Sequence, residues 1–301
     1  MKIAVIIMRI SVGLMFVFSG LIKLDPIEIF ELTFVDLGFV SWSGAPFVAR
    51  FLISVEFLLG ALLLFGVWQQ KTIRASLVLL VLFSVYLIYL LVDKGNDVNC
   101  GCFGQGIPMT PIEALFKNGL FGAMCIALIL FDKVVETEKW KKALGVVLIL
   151  LSIATPFILN PVQLSNNVHA LVEPFELDIT GIPKHFIDSD SMALNDGEVI
   201  VAFLRASCKH CKTAAYKLTI AQRKYDLPRV VAVFYGNEEK LPKFWSESNS
   251  DFPNVFFPNK RIYKITRGIF PTIMYMKDGL VMNNWTGSTF TYKEVEKLSR
   301  Q

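Results

Sequence analysis

The chain has 301 residues, of which 53% are hydrophobic and only 19% charged, and its mean hydropathy is +0.50. This composition is too apolar for a soluble protein of the same length and predicts that part of the chain lies in a membrane. The net charge of +4 is small and gives no reason to expect a nucleic-acid partner. The apolar excess is confined to about the first 160 residues, and the remainder has an ordinary composition.

Five apolar stretches in this first part are each close to the roughly 20 residues that a membrane-spanning helix needs. They lie at about residues 3–22, 46–66, 73–92, 112–131 and 143–159. The first is too long for a signal peptide and ends at Lys23 without a small-residue cleavage site, so we expect it to be retained. We predict an α-helical membrane bundle of about five transmembrane helices at residues 1–160, with membrane lipid as its surroundings.

The basic residues between these spans favour a cytoplasmic N-terminus. Cytoplasmic segments then hold seven of them and the opposite side two: Lys2, Lys71, Arg74, Lys133, Lys139, Lys141 and Lys142, against Lys23 and Lys94. An odd number of spans places everything after residue 159 outside the cytoplasm, where disulfides persist. We therefore expect a multi-pass protein of the bacterial inner membrane with a periplasmic C-terminal domain.

Two charged residues lie deep in predicted spans: Glu56 is near the middle of the second and Arg9 is in the inner half of the first. An isolated charge there costs roughly 2.5–3.5 kcal/mol on insertion scales, so each should have a partner. Because their predicted depths differ by only about 7 Å, we favour an ion pair between them over a proton-relay or quinone-binding role. Lys23 and Arg50, near the outer surface, are expected to be interface anchors.

A Cys100-Gly101-Cys102 sequence follows the third span, on the predicted periplasmic side. Cysteines two apart can join only if the backbone bends, which Gly101 permits. Such a small ring is expected to be strained and therefore oxidising. The alternatives are a packed pair of thiols or a soft-metal clip. Cys125 lies in an apolar span and is expected to be an inert, buried side chain.

Residues 161–174 carry Pro, Asn and Ser without a strong period and are predicted to be a linker. Beyond them, the apolar run at 198–204 leads directly into Cys208-Lys-His-Cys211, and a helix-favouring stretch follows. A thiol at a helix N-terminus is favoured as thiolate, so Cys208 is the predicted nucleophile and Cys211 the resolving thiol. His210 adds positive charge beside Cys208 and should make the disulfide more oxidising.

A C-x-x-C can also be half of a zinc site, but no Cys or His follows Cys211, so we predict redox chemistry and no metal. The order of elements after Cys211 resembles the thioredoxin family over roughly the last 125 residues, within a predicted domain at 175–301. The resemblance implies an α/β thioredoxin-like domain of the TlpA type. It also implies that Pro271, in Phe270-Pro271-Thr272, is cis and shapes a substrate groove beside the C-x-x-C.

The first part of the chain carries a second resemblance. Its opening, from Arg9 through Gly13, Ser19 and Gly20 to Pro26, is similar to the DoxX/MauE group of membrane proteins. Glu56-Phe-Leu-Leu-Gly60 and Cys100-Gly-Cys-Phe-Gly104 are similar to the MauE branch in particular. This resemblance covers about residues 1–155 and implies a helical bundle linked to disulfide handling of exported proteins.

These patterns together predict a membrane-anchored thiol–disulfide oxidoreductase acting on exported or periplasmic thiol proteins. Cys208 and Cys211 exchange with the client, and Cys100 and Cys102 carry two electrons into the bundle. Net oxidation towards a quinone-like carrier is favoured, with Arg9 and Glu56 the candidate quinone-binding residues. The alternatives are a reductase that delivers electrons outward and a maturation factor that binds a soft metal through the four cysteines.

Overall fold

The structure is a computed structural model that describes residues 2–38, 40–101, 107–132, 139–162, 174–177, 194 and 197–299. The chain divides into two compact units, Met1–Val162 and Gln163–Gln301.

The first unit is helical throughout its described residues, apart from the connections. Its helices are α1 (Lys2–Lys23), α2 (Ile27–Asp36), α3 (Ala45–Phe65), α4 (Gln69–Lys94), α5 (Pro111–Phe131) and α6 (Lys139–Leu159). All except α2 are long and apolar enough to cross a membrane, which confirms the five predicted spans. Helix α2, which the sequence patterns did not predict, is a ten-residue helix whose apolar side chains pack mainly against α3.

Helices α1 and α3 approach closely because glycines face each other at their contact. A Cβ atom on Gly60 would lie 2.7 Å from Val17 Cγ2 and 2.8 Å from the Gly13 carbonyl oxygen. Small residues at such contacts allow membrane helices to pack backbone against backbone. The contact fixes the register of this antiparallel pair, and thereby decides which polar side chains meet.

The second unit contains a six-stranded sheet in the order β1-β6-β5-β2-β3-β4. Its strands are β1 (Phe175–Glu176), β2 (Glu198–Arg205), β3 (Arg229–Tyr235), β4 (Asn254–Phe256), β5 (Thr272–Lys277) and β6 (Leu280–Thr286). Strands β2, β3 and β4 are parallel, whereas β5 is antiparallel to both β2 and β6. Asp278 and Gly279, both with positive φ, form the tight turn between β5 and β6.

The central strand β2 is buried on both faces, as its continuous apolar run requires. Val199, Val201 and Phe203 enter one core cluster, and the alternate side chains are equally buried. The helices of this unit are α7 (Lys209–Lys224), α8 (Leu241–Ser248), α9 (Ile262–Ile265) and α10 (Tyr292–Leu298). A βαβ unit followed by a β-hairpin and a terminal helix on one mixed sheet is the predicted α/β thioredoxin-like fold, which is confirmed.

Candidate redox site

Cys208 lies just beyond the C-terminal end of strand β2, immediately before the first residue of α7. It is the N-cap residue of α7, with extended backbone angles, and its Sγ accepts a hydrogen bond from the Cys211 N–H at 3.3 Å. The first N–H groups of a helix have no partner within the helix, so the sulfur takes the place that a Ser or Asp oxygen usually fills. The position holds a negative charge well because it faces the positive end of the helix dipole.

The two cysteines differ sharply in exposure. Cys208 is partly exposed, whereas Cys211 is buried, and its Sγ accepts a hydrogen bond from the Arg205 N–H at 3.4 Å. A client sulfur can therefore reach Cys208, while Cys211 is placed to react only with its neighbour. The roles assigned to the two thiols from the sequence stay a prediction, which this asymmetry favours.

Their acidities differ in the same direction. The hydrogen bond from the Cys211 thiol, helped by the Cys211 N–H and by the charge of His210, lowers the pKa of Cys208 from 9.0 to about 6 against the effect of burial. Burial, followed by interaction with Cys208, raises the pKa of Cys211 well above its ordinary value. Roughly nine in ten Cys208 side chains are thus thiolate at pH 7, which is the reactive form.

His210 is exposed in the first turn of α7, between the two cysteines. Its charge lowers the pKa of Cys208, as predicted, but less than either hydrogen bond from Cys211 does. The main influence on the nucleophile is therefore the resolving thiol, and His210 is secondary.

Pro271 precedes strand β5, whose first residue lies next to the C-terminal end of β2. The Phe270–Pro271 bond is cis, as the resemblance implied. Strands β2 and β5 pair in a register that sets Phe203 opposite Thr272, which places Phe270 level with Arg205. The Arg205 guanidinium accordingly lies 5.8 Å from the centre of the Phe270 ring. Gly287 leaves space for the proline, since a Cβ there would lie 2.9 Å from Pro271 Cγ.

The sequence patterns missed an aromatic surface next to the dithiol. Tyr235, at the end of β3, contacts both Tyr263 and Phe270, with ring centres 5.1 and 6.4 Å away. Tyr263 and Phe270 also meet edge to face at 5.9 Å, and Arg205 caps Phe270. The only available signal was an aromatic residue near the ends of two strands, Tyr235 and Phe270, because the partners come from three separate segments and Tyr263 lies in helix α9.

Cys100 lies in the first unit, buried among Leu87, Leu90 and Ala114. Its N–H donates to the Met109 carbonyl at 2.9 Å. Gly101 adopts φ +70°, in the left-handed region that favours glycine, so the chain bends here as the predicted ring would require. Cys102 lies outside the described residues.

Glu56 is buried in the same unit and is paired with Lys23 instead of Arg9. Lys23 Nζ lies 2.5 Å from Glu56 Oε1, which also accepts a hydrogen bond from Ser19 Oγ at 3.0 Å. Lys23 and Glu56 are 2% and 1% exposed. Glu56, Lys23 and Cys100 all line one cavity inside the bundle.

Three predictions about charged residues were wrong. Arg9 lies beside Gly66, ten residues or about 15 Å along α3 from Glu56, so the two cannot pair, and Arg9 does not line the cavity. Lys23 is not an interface anchor, because it is the buried partner of Glu56. Arg50 is not one either: it is 3% exposed and pairs with Glu31 at 2.5 Å.

The first unit is related to a known family over most of its length. Residues 1–131 match the family model described as methylamine utilisation protein MauE. This part of the chain is a MauE domain. The match includes α1 to α5, and therefore the buried Lys23–Glu56 pair and Cys100.

One curated relative aligns with nearly the whole chain, and so with both units. Protein TlpB of Flavobacterium psychrophilum is 26% identical over 341 aligned positions, which cover 94% of this chain and 89% of TlpB. Among solved structures, the thioredoxin domain of a thiol-disulfide oxidoreductase from Bacteroides vulgatus is 19% identical, with a TM-score of 0.33, covering 45% of this chain and 99% of that domain. A thiol:disulfide interchange protein from a Bacteroides species is 20% identical, with a TM-score of 0.32, covering 40% of this chain and 86% of the other. Because the chain has five helices that could span a membrane and is similar to MauE and TlpB, it is a bacterial membrane protein.

Proposed function

We propose that this protein is a membrane-anchored protein disulfide oxidoreductase of the bacterial inner membrane, with its thioredoxin-like domain at residues 175–301 in the periplasm. The observation that carries the proposal is the pairing of Cys208, partly exposed with a pKa of about 6, with the buried Cys211, whose pKa is raised. One thiol is thereby prepared to react with a client and the other to resolve the product. The membrane bundle at 1–160 and the linker at 161–174 tether this chemistry to the bilayer.

The exchange with a client proceeds in two displacements. A client thiolate attacks Cys208 of the Cys208–Cys211 disulfide, so that a mixed disulfide forms and Cys211 leaves and takes up a proton. The second client thiolate then attacks the client sulfur, which closes the client disulfide and releases Cys208. Two electrons pass from the client to the dithiol, and the low pKa of Cys208 makes it a good leaving group in the last step.

Reoxidation of the dithiol passes through the cysteines of the bundle. Cys208 thiolate attacks the Cys100–Cys102 disulfide, Cys211 resolves the mixed disulfide, and Cys100 and Cys102 are left as thiols. The linker of about 15 residues keeps the two pairs at high effective concentration. When Cys100 and Cys102 close again, two electrons and two protons leave, which a quinone-like carrier balances by becoming the hydroquinone.

The acidity of Cys208 supports net oxidation. Stabilising the thiolate stabilises the reduced dithiol, and a pKa of about 6 in place of 8.5 contributes about 1.4 kcal/mol at pH 7, or about 30 mV for a two-electron couple. Reverse flow would require another cysteine pair to receive electrons from the cytoplasm, and Cys125 is the one remaining cysteine in the sequence. The described residues contain no group of three or more His, Cys, Asp or Glu placed to hold a metal ion.

The test is a trapping experiment in cells. Replacing Cys211 with Ser removes the resolving thiol, so a mixed disulfide between Cys208 and Cys100 or Cys102 should accumulate. A protease site in the linker would then leave the two halves joined until reductant is added. Cys125→Ser is the matched control and should trap nothing, because Cys211 is still present to resolve the mixed disulfide. If the double replacement Cys100→Ser and Cys102→Ser cycles as well as wild type, the relay is wrong.

Two further measurements address the remaining parts of the proposal. A membrane-impermeant thiol reagent should label Cys208 in intact, reduced cells; labelling only after lysis would place the domain in the cytoplasm. The reduction potential of the Cys208–Cys211 pair separates the directions, since a value near −120 mV is typical of an oxidase and one near about −270 mV of a reductase.

A further inference from the structure

The MauE domain encloses a cavity of about 480 Å³, within the size range of small-molecule sites. Helices α1 to α5 all contribute to its walls, which are mainly aromatic and aliphatic. Its polar lining includes the Lys23–Glu56 pair, Ser19 and Asn118, and Cys100 closes one side. An apolar cavity with a few buried polar groups and a thiol at its wall has the composition of a site for a largely apolar redox ligand.

Two buried acceptor atoms of the lining residues have no partner among the described residues, Glu56 Oε2 and Asn118 Oδ1. Glu56 is 1% exposed and Asn118 3%, so bulk water does not satisfy them. The orientation of the Asn118 amide follows from its neighbour. The Ser84 hydroxyl donates its hydrogen to the Leu80 carbonyl at 2.8 Å, so it must accept a hydrogen bond from Asn118 Nδ2 at 3.2 Å. The other amide atom, Asn118 Oδ1, is therefore the one without a donor.

Buried acceptors without donors are costly, and a ligand that brings hydroxyl groups into the cavity would remove that cost. Lys23 cannot serve both atoms, because its ammonium is held by Ser19 and Glu56 Oε1 and lies 5.0 Å from the ring centres of Phe30 and Phe83. No described residue donates to either atom, Lys117 of the cavity wall included, so the missing groups are O–H or N–H donors on an otherwise apolar molecule. A hydroquinone carries two such hydroxyls on one ring.

The cavity is also open to a ligand that travels in the bilayer. Leu82, Val85 and Tyr89 line it from α4, and each is more than half exposed on the outside of the bundle. In a helix that crosses the membrane, such exposed apolar side chains face the lipid. A lipid-soluble ring with an apolar tail can enter there without passing through water.

We propose that this cavity is a quinone–hydroquinone site in which Glu56 and Asn118 accept hydrogen bonds from the hydroxyls of the reduced form, next to Cys100. Lys23 and Ser19 are positioning residues that fix the Glu56 carboxylate. The proposal rests on the proposed function in one respect, that electrons from the thiols leave through such a carrier. If the hydroquinone binds tenfold more tightly than the quinone, the reduction potential of the bound couple rises by about 30 mV. This higher potential favours transfer of electrons from the thiols to the quinone.

The experiment measures binding without turnover. Full-length protein with Cys100, Cys102, Cys208 and Cys211 all replaced by Ser, so that no dithiol can exchange electrons with the ligand, is titrated, in detergent and under argon, with a short-tailed benzoquinone and with its hydroquinone. We expect the hydroquinone to bind about tenfold more tightly, and Glu56→Gln and Asn118→Leu each to weaken its binding about tenfold. Asn118→Leu leaves the ion pair intact and so serves if Glu56→Gln fails to fold. Glu31→Gln is the matched control, because Glu31 pairs with Arg50 and does not line the cavity.

The proposal would be refuted if the protein bound neither form or bound both equally. It would also be refuted if hydroquinone binding were unchanged in both Glu56→Gln and Asn118→Leu. Co-purified phospholipid that benzoquinone does not displace would overturn it as well. Failure of the proposed function gives a different result: protein with all its cysteines would bind as expected but would not reduce benzoquinone when supplied with a client dithiol.

Discussion

Replacing Cys211 with Ala should raise the pKa of Cys208 more than any other single change near the dithiol. The Cys211 thiol donates the hydrogen bond that lowers this pKa most. Alanine removes that donor but leaves the backbone N–H, the helix N-terminus and His210 in place. Serine at the same position keeps a hydroxyl donor and should hold the pKa of Cys208 close to 6.

The size of the effect follows from the cost of losing one hydrogen bond to a charged sulfur. Such bonds contribute about 1.5–3 kcal/mol, and one pKa unit corresponds to about 1.4 kcal/mol, so the pKa of Cys208 should rise by about one to two units. It should remain below the roughly 8.5 of an unperturbed thiol, because the other stabilising groups persist. At pH 7 about half or more of the Cys208 side chains would then be protonated in the alanine variant, whereas most would be ionised in the serine variant.

The assay is the rate of alkylation of full-length protein by iodoacetamide between pH 4 and 10, together with thiolate absorbance near 240 nm. In both variants Cys100 and Cys102 are also replaced by Ser, so that Cys208 cannot form a mixed disulfide with them; the same protein with Cys208→Ser reports the background of the bundle. Equal midpoints in the alanine and serine variants would show that the side-chain hydrogen bond does not control Cys208. A midpoint of 8.5 in the serine variant would refute the role of the helix N-terminus as well.

Three further outcomes follow from the same structure. His210→Ala should raise the pKa of Cys208 by less than about 0.7 unit in the same titration, because the charge of an exposed side chain is well screened. Folding lowers the pKa of Cys208, so the reduced protein should gain stability relative to the oxidised protein as pH rises from 6 to about 8.5 and lose it as pH falls through 6. Melting temperatures of both forms across this pH range would check the prediction, and a difference that does not change with pH would contradict it. Gly60→Ala should lower the melting temperature of the bundle by placing a methyl group 2.7 Å from Val17, whereas Gly119→Ala, which meets no atom within 4 Å, should not.

Much of the second unit could be predicted because its signals are local. A continuous apolar run, a C-x-x-C and a helix-favouring stretch define β2, the N-cap and α7, and each depends on neighbouring residues. The relative importance of His210 and Cys211 was harder to foresee. Sequence spacing shows that both are near Cys208, whereas the direction of the Cys211 thiol is a property of the folded turn.

The aromatic surface of Tyr235, Tyr263 and Phe270 was not predictable for a related reason. Its members are 28 and 7 residues apart in the sequence. The parallel pairing of β2 with β3 and the antiparallel pairing of β2 with β5 bring Tyr235 and Phe270 together, and Tyr263 reaches them from helix α9. A pattern confined to one segment cannot reveal such a cluster.

The wrong partner for Glu56 has a more general physical cause. Depth in the bilayer was counted from the ends of each span, as though both helices began flush with the membrane surfaces. In the structure, the close approach of Gly13 and Gly60 fixes the register instead, and it sets Glu56 level with the last turn of α1. Ser19 and Lys23, four residues apart, share one face of that turn and meet the carboxylate together. The partner of a buried charge therefore depends on its position relative to the closest backbone contact between the two helices. In this bundle the Gly13–Gly60 contact places the Lys23–Glu56 ion pair in the wall of the cavity that Cys100 also lines.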